Sequence, residues 1–393
     1  MKRVAIVGTG IARYGYRADA TLAEIAYEAI KEALDEARIG PEDIDSFVVG
    51  NVGSWSSEPL PAVLIGEYAG LVPKNGIRVE AACATGLAAT RTAYNMIASG
   101  EANIVLVIGV EKMNESTTPQ VVELIGRAGN YFWEFQNFGM TFPGYYAMYA
   151  TSYMKRFGVR EEDLCEVAVK NHYYGSMNPK AHFQNRITIE QCMSSRYVAW
   201  PLKLYDSSPI TDGAAALILA SEDIAMKITD SPIWIRGWGY ANGTSNLSKR
   251  SDYIGLEATR VAAEMLYKRI GIDPKNPAKY FDVANLHDAF TIAELMALSD
   301  MGFVRKGEEH IVVREKQTYI GGLIPVNLDG GLKAKGHPIG ATGVGMLVEL
   351  TRQLQQRVER GRQAPIKRGW ALAHNVGGTG HYVFTAALSV DKP

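Results

Sequence analysis

Apolar residues recur at helical spacing between positions 22 and 37, where Ala26, Ile30, Ala33 and Leu34 share one face, and short apolar runs at 4–7 and 46–49 flank them. Gly8 and Gly10 separate the first run from the helix, and Gly40-Pro41 separates the helix from the second. The order returns downstream as a run at 233–235, Gly237 and Gly239, a helix over about 256–269, Gly271-Ile272-Asp273-Pro274, and a run at 282–286. A second pair of segments also corresponds. A helix opened by Cys83 and followed by a strand at 104–108 is matched by a helix opening after Gly336-His337-Pro338 and followed by a strand at 371–376. The pattern predicts an α/β fold of two halves related by a pseudo-twofold axis, residues 1–230 and 231–393. Residues 116–200 depart from it and read as an inserted subdomain of the first half, rich in aromatics and methionine, before a strand at 215–219 closes that half. The length of 393 residues exceeds the roughly 250–300 at which one core stops growing, in keeping with two halves.

A pseudo-twofold axis brings equivalent helix openings together, and three reactive side chains fall at such turns. Cys83 stands in Val79-Glu80-Ala81-Ala82-Cys83-Ala84-Thr85-Gly86, where a strand runs into a helix. A thiol there meets the positive end of the macrodipole and free N–H groups, which predicts a lowered pKa and a nucleophilic thiolate. His337 takes the equivalent place in the second half; Pro338 suits a first helical position, and Gly340, Gly343 and Gly345 point to a buried close contact or a ligand approach. His287 follows the run at 283–286, at the end of a parallel strand where open α/β folds hold their ligands. His172, His182 and His310 lack such a context and are assigned to the surface. His374 and His381 flank Asn375-Val376-Gly377-Gly378-Thr379-Gly380, whose backbone N–H groups could face the thiol as an oxyanion hole; a plain tight turn explains those glycines equally well. Trp55, between two serines, and Phe142 and Met148 from the insertion are the candidates to line an acyl pocket.

Composition narrows the class. Hydrophobic residues make up 47%, charged residues 21%, and the formal net charge is -1, which gives no electrostatic basis for binding nucleic acid. Cys83, Cys165 and Cys192 are widely spaced without a CxxC pair, arguing against a disulfide framework and a structural zinc site, and no metal is expected. The longest apolar run, about 104–110, falls far short of the ~20 residues that span a bilayer. The opening Met1 to Gly8 reads as a strand rather than a signal-peptide core, so a cytoplasmic enzyme is predicted. Gly8-Thr9-Gly10 has arginine at position 13 in place of a third glycine, and no acidic residue closes the run at 46–49, so a dinucleotide site is not expected.

The Cys83 loop, Thr211-Asp212-Gly213-Ala214, His287-Asp288-Ala289-Phe290, Asn327-Leu328-Asp329-Gly330-Gly331, Gly336-His337-Pro338-Ile339-Gly340-Ala341-Thr342-Gly343 and Gly377-Gly378 together resemble the thiolase superfamily over nearly the whole chain. Within it the chain is most similar to the sterol-carrier-protein-type and archaeal-type thiolases, which carry histidine at the position of His287. The resemblance implies a five-layered αβαβα fold and a homodimer whose sheets run on into each other. It implies that Cys83 attacks the keto carbon of a 3-oxoacyl-CoA, that His337 takes the thiol proton, and that His337 and His287 hold the thioester oxygen of the enolate, giving CoA-dependent C–C cleavage or, in reverse, a non-decarboxylative Claisen condensation. The N–H groups of Cys83 and Gly377 would form the oxyanion hole, with coenzyme A as co-substrate and no tightly bound cofactor. A small zinc-ribbon and OB-fold protein, which completes the CoA site in many such thiolases, is the partner the resemblance suggests.

One position departs from the superfamily pattern. Thiolases place a second cysteine in a C-terminal Cys-x-Gly turn as proton shuttle; here Asn375 stands there, and Ala289 stands where some sterol-carrier-type relatives supply the cysteine instead. His287 is the first candidate for the shuttle and His374 the second. Two alternatives stay open: a decarboxylating ketoacyl synthase-like enzyme with a Cys-His-His site, and a weakly catalytic scaffold for acyl-CoA or lipid. The acyl group is acetyl or a bulkier aromatic or steroid-type chain.

Overall fold

The computed structural model describes residues 2–393. The first half contains β1 (Val4–Ile11), α1 (Leu22–Ala37), β2 (Ser46–Gly50), α2 (Pro61–Tyr68), β3 (Asn75–Val79), α3 (Thr85–Ser99) and β4 (Ile104–Lys112). Four helices and a short hairpin follow: α4 (Thr118–Gly126), α5 (Phe142–Phe157), α6 (Glu161–Gly175), α7 (Ile189–Met193), β5 (Tyr197–Ala199) and β6 (Leu202–Lys203). Then come β7 (Asp212–Ser221), α8 (Glu222–Ile228), β8 (Ile233–Asn242), α9 (Glu257–Ile270), β9 (Val283–Leu286), α10 (Thr291–Asp300), α11 (Glu309–Arg314), α12 (Thr342–Leu354), β10 (Trp370–Gly377) and β11 (Tyr382–Ser389).

The large strands follow the order β3-β2-β4-β7-β1-β8-β11-β10-β9. Among the described residues, β1 and β8 pair only through Ala5 opposite Trp234 and Ile6 opposite Ile233, so the array is two sheets joined at a narrow seam. α1 and α2 cover the outer face of the first sheet, α9 covers the outer face of the second, and α3 and α12 pack against each other between the two. These are the five αβαβα layers. The outer layer of the first half has its own core, in which Ile25, Ala29, Ile30 and Ala33 meet Val49, Ile108 and Ile218. Thr21 sets where α1 begins: it accepts from the Glu24 N–H while the Glu24 carboxylate accepts from the Thr21 N–H, each side chain satisfying one end-group.

The repeat extends to single atoms. A Cβ at Gly10 would strike the Ala29 carbonyl of α1, and a Cβ at Gly239 would strike the Ala262 carbonyl of α9. These glycines therefore lie inside β1 and β8, which run on to Ile11 and Asn242 rather than stopping before them, and they let a helix settle directly on the sheet.

Two sequence expectations are corrected by the packing of the inserted helices. Cys165 on α6 and Cys192 on α7 are joined in a disulfide, both fully buried against Ala168 and Ile187. Wide spacing in sequence concealed a pair that the α6–α7 contact brings together. His172 and His310 are buried rather than on the surface, and His182 is half-buried with its Nδ1 3.0 Å from Thr211 Oγ1. His172 is stacked on Phe183 of the insertion and set edge-on to Tyr205 just beyond it, aromatic neighbours that its local sequence did not reveal. Among the described residues, no helix is long and apolar enough to cross a membrane.

Candidate active site

β3 ends at Val79, and a tight turn carries the chain into α3. Thr85 Oγ1 accepts from the Ala81 N–H at 2.8 Å, and Ala82 takes a left-handed φ of 49°. A non-glycine residue there costs on the order of 1–3 kcal/mol and marks backbone held for a purpose. The turn aims Cys83 at the seam between the halves, where the sulphur and one ring nitrogen from each of His287 and His337 all lie within 4.8 Å of one another. The two rings stand edge to face, centroids 5.3 Å apart.

The second half contributes both histidines. His287 leaves the end of β9, and the next residue, Asp288, accepts from the N–H groups of Leu332 and Lys333 at 2.7 and 3.2 Å. That carboxylate thereby ties β9 to the turn leading into His337. Pro338 does not open α12, which begins four residues later at Thr342. Thr342 closes the loop instead: its hydroxyl donates to the Pro338 carbonyl at 3.0 Å and lies 2.6 Å from His337 Nδ1. The expected close contact is present, since a Cβ at Gly86 of α3 would crowd the backbone of Gly343 and Val344 on α12.

Hydrogen bonds fix which nitrogen of each ring carries the proton. With the Thr342 hydroxyl hydrogen placed on the Pro338 carbonyl, its oxygen accepts from His337 Nδ1–H and His337 Nε2, buried and unpartnered, presents a bare lone pair. His287 is opposite. The Asn375 amide NH2 donates to the Cys83 carbonyl at 2.9 Å, which fixes its orientation, and the same nitrogen lies 3.2 Å from His287 Nδ1. His287 Nδ1 must accept, so Nε2 carries the hydrogen and is likewise unpartnered. One ring offers an acceptor to the site and the other a donor.

Burial governs the charges. It pushes the Cys83 thiol up to about 12, against the opposing pull of the N–H groups of Gly378 and of Cys83 itself. This reverses the expected thiolate: α3 starts two residues beyond the sulphur, and the loss of solvent outweighs the helix end. Burial holds His337 down at about 3 and His287 well below its ordinary value, so all three groups rest neutral. The amide directed at the sulphur is that of Gly378, one residue beyond Gly377, whose place in β10 sets it opposite Tyr382. Tyr146 supports this turn by donating its hydroxyl to the Gly378 carbonyl at 3.2 Å.

Cys83 and His337 open into a cavity of about 210 Å³ whose wall is largely apolar, formed by Met113, Val121, Ile125, Phe142, Phe290 and Ile339 among others. Phe142 thus lines the cavity. Met148 does not: six residues further along α5 it faces another way, into a separate groove with Tyr145 and Tyr253. Trp55 packs in the same apolar cluster as Cys83, but its indole N–H is bound to Glu111 at 2.9 Å, making it part of the scaffold. His374 is excluded from the site by strand alternation. It points from β10 to the opposite face, where Nε2 meets Thr259 of α9 at 3.0 Å, while its neighbour Asn375 points to Cys83.

Glu111 was not anticipated. Its carboxylate accepts from Asn51, Val52, Gly53, Trp55 and Gly340, stitching the 51–55 loop to the His337 loop, and burial raises its pKa to about 7. A glutamate closing the apolar run at 104–110 was the available signal.

Similarity to known proteins extends over nearly the whole chain. Residues 4–223 match the thiolase N-terminal domain family and residues 239–390 the thiolase C-terminal domain-like family. An acetyl-CoA acetyltransferase of Methanothermobacter thermautotrophicus is 40% identical over 392 residues, covering 99% of each chain. A benzoylsuccinyl-CoA thiolase subunit of Thauera aromatica is 31% identical over 96% of this chain and 95% of its own. The solved Ltp2-ChsH2(DUF35) aldolase superposes with a TM-score of 0.86 at 24% identity, covering 100% of this chain and 99% of that one.

Proposed function

The chain belongs to the thiolase family and is an acyl-CoA thiolase, and from that premise we propose how its own residues carry the reaction. The observation that carries the reading is the meeting of Cys83, His287 and His337 within 4.8 Å, with the two rings in opposite proton states, at the wall of an apolar cavity.

When a 3-oxoacyl-CoA enters, the Cys83 thiol gives its proton to the bare Nε2 of His337, and the sulphur attacks the keto carbon. Neither ion is stable alone in this buried place, but each stabilises the other. The N–H groups of Cys83 and Gly378 receive the tetrahedral oxyanion. As the Cα–Cβ bond breaks, the electron pair moves onto the thioester oxygen, which His287 Nε2–H holds as an enolate. The His337 imidazolium then returns its proton to the enolate carbon, releasing acetyl-CoA. Coenzyme A gives its thiol proton to His337 and takes the acyl group from Cys83, whose sulphur recovers the proton. The balance closes through one histidine. His287 is the wrong shuttle, because giving up Nε2–H while Nδ1 accepts from Asn375 would leave an imidazolate. With His337 serving both thiols and the enolate, Asn375 in place of a second cysteine is compatible with full turnover.

The acyl group remains a choice between acetyl, as the name of the archaeal relative implies, and a bulky aromatic chain, as that of the Thauera relative implies. An apolar wall with Phe142 and Phe290 suits the second at least as well. Dimerisation through β3 is favoured by that strand's free outer edge, by exposed Ile77 on it and by exposed Leu60, Val63, Tyr68 and Val72 beside it. A DUF35-type partner is suggested by the name of the superposable aldolase.

The test is CoA-dependent loss of the 3-oxo thioester from acetoacetyl-CoA and from an aryl 3-oxoacyl-CoA, with and without a co-encoded zinc-ribbon protein. Wild type is expected to cleave one of them, and Cys83→Ala to abolish the reaction. Cleavage persisting in Cys83→Ala would refute the acyl-cysteine route.

A further inference from the structure

A second cavity, of about 300 Å³, adjoins the first: both use Leu204, Ser207, Ser208 and Pro209 as wall. Its far side holds His172, Phe183, Tyr205 and Lys333. Lys333 belongs to the turn that leads into His337, and its side chain is only 2% exposed. Among the described residues its ammonium has no hydrogen-bond or ion-pair partner; the ring centroids of Phe183 and Tyr205 stand 5.7 and 5.8 Å away. The two carboxylates whose charge reaches it are engaged elsewhere. Asp206 accepts from the Thr291 hydroxyl and the Lys203 N–H, each at 2.7 Å, and Asp288 is taken by Leu332, the Lys333 N–H and Asn171. An ammonium buried without a counter-ion is costly, and chains retain one where a ligand supplies the charge.

Two more buried groups on the same wall lack partners, Ser207 Oγ and His172 Nε2. His172 Nδ1 lies 3.0 Å from the Asn185 carbonyl, which can only accept, so Nδ1 carries the hydrogen and Nε2 is an acceptor. The wall thus presents an ammonium, a hydroxyl and a ring acceptor around one space.

We propose that this cavity binds an anionic oxygen group of the acyl-CoA, with Lys333 as counter-ion, Ser207 as second donor, and His172 accepting from an adjacent N–H or O–H of the same ligand. The proposal rests on the thiolase reading. Two parts of the substrate carry such a group: a carboxylate ending the acyl chain, or a phosphate of coenzyme A. Burial lowers the Lys333 pKa to about 8, against the weaker pull of Asp206 and Asp288, so the lysine is still mostly charged at neutral pH and an arriving anion would restore its usual range.

The experiment measures kcat/KM of wild type, Lys333→Met and Lys333→Arg on a 3-oxoacyl thioester ending in carboxylate and on its methyl-ended isostere, each as the CoA and as the pantetheine ester. A carboxylate ligand predicts that wild type prefers the acidic chain by roughly 10- to 100-fold and that Lys333→Met loses the preference while Lys333→Arg keeps it. A phosphate ligand predicts the same pattern for CoA over pantetheine. Each preference is a ratio within one protein, so a variant that is partly unfolded still reports it; Ser207→Ala is measured in its place if Lys333→Met does not fold. Both preferences unchanged in the variants would overturn the proposal. If wild type cleaves none of these esters the thiolase reading fails separately, and calorimetric binding of the same four compounds to wild type and Lys333→Met decides the cavity by itself.

Discussion

Asn375 has no acid–base chemistry, yet the proton state of His287 depends on it. With its amide removed, His287 Nδ1 is free to take the hydrogen and present a lone pair to the enolate oxygen in place of a donor. Asn375→Asp should be worse than Asn375→Ala, since a carboxylate both demands the hydrogen on Nδ1 and repels the Cys83 carbonyl. Loss of one such donor typically costs about 10²–10³ in kcat, and that range is expected for Asn375→Asp in steady-state thiolysis with a nearly unchanged KM. Nitrogen NMR of the resting enzyme at pH 7 checks the cause: His337 should carry hydrogen on Nδ1 and His287 on Nε2, and two rings of one tautomer would refute the assignment. From the sequence alone Asn375 read as a deficit. Its function lies in two hydrogen bonds to residues 88 and 292 positions away, which no local pattern encodes.

Between elements, α3 packs closely on α12. An alanine at Gly343 would press on the Leu87 N–H and the Asn375 side chain, so its methyl must displace backbone. Overpacking of this kind costs about 1–3 kcal/mol; Gly343→Ala should lower the urea midpoint with an unchanged slope, and should reduce activity further than stability alone explains, because both helices frame Cys83, the proposed nucleophile. The α6–α7 disulfide gives a simpler check. Denatured protein without reductant should titrate with one thiol per chain, Cys83, and with three after reduction; three thiols before reduction would show Cys165 and Cys192 unpaired. Glycine spacing and apolar periodicity made the repeated strands and helices readable, because each is a local pattern. The α6–α7 pairing, the side of β10 taken by His374 and the separate groove of Met148 depend on how distant elements pack, and sequence spacing carries no record of that.

Over the whole molecule, burial sets the response to acid. Six of the seven histidines are held below their ordinary pKa, chiefly by desolvation. An unfolded histidine takes up its proton near pH 6.5, whereas His172 waits until about 4 and His337 and His374 until about 3. Their contribution to stability is complete above the unfolded value and is lost as pH falls toward the folded ones. Glu111 and Asp288, raised to about 7, work in the opposite sense, and Glu166 and Asp206 are also raised, but these four are outnumbered. The urea midpoint should therefore fall between pH 7 and pH 5; a midpoint that rises over that interval would contradict the buried, neutral histidines. Cys83 comes from one half of the chain, while His287, His337 and Asn375 come from the other, and the two sheets share only two residue pairs at their seam. On the proposed mechanism neither half holds a working fragment of the chemistry, so turnover acts as a logical AND on the two and reports that they have docked.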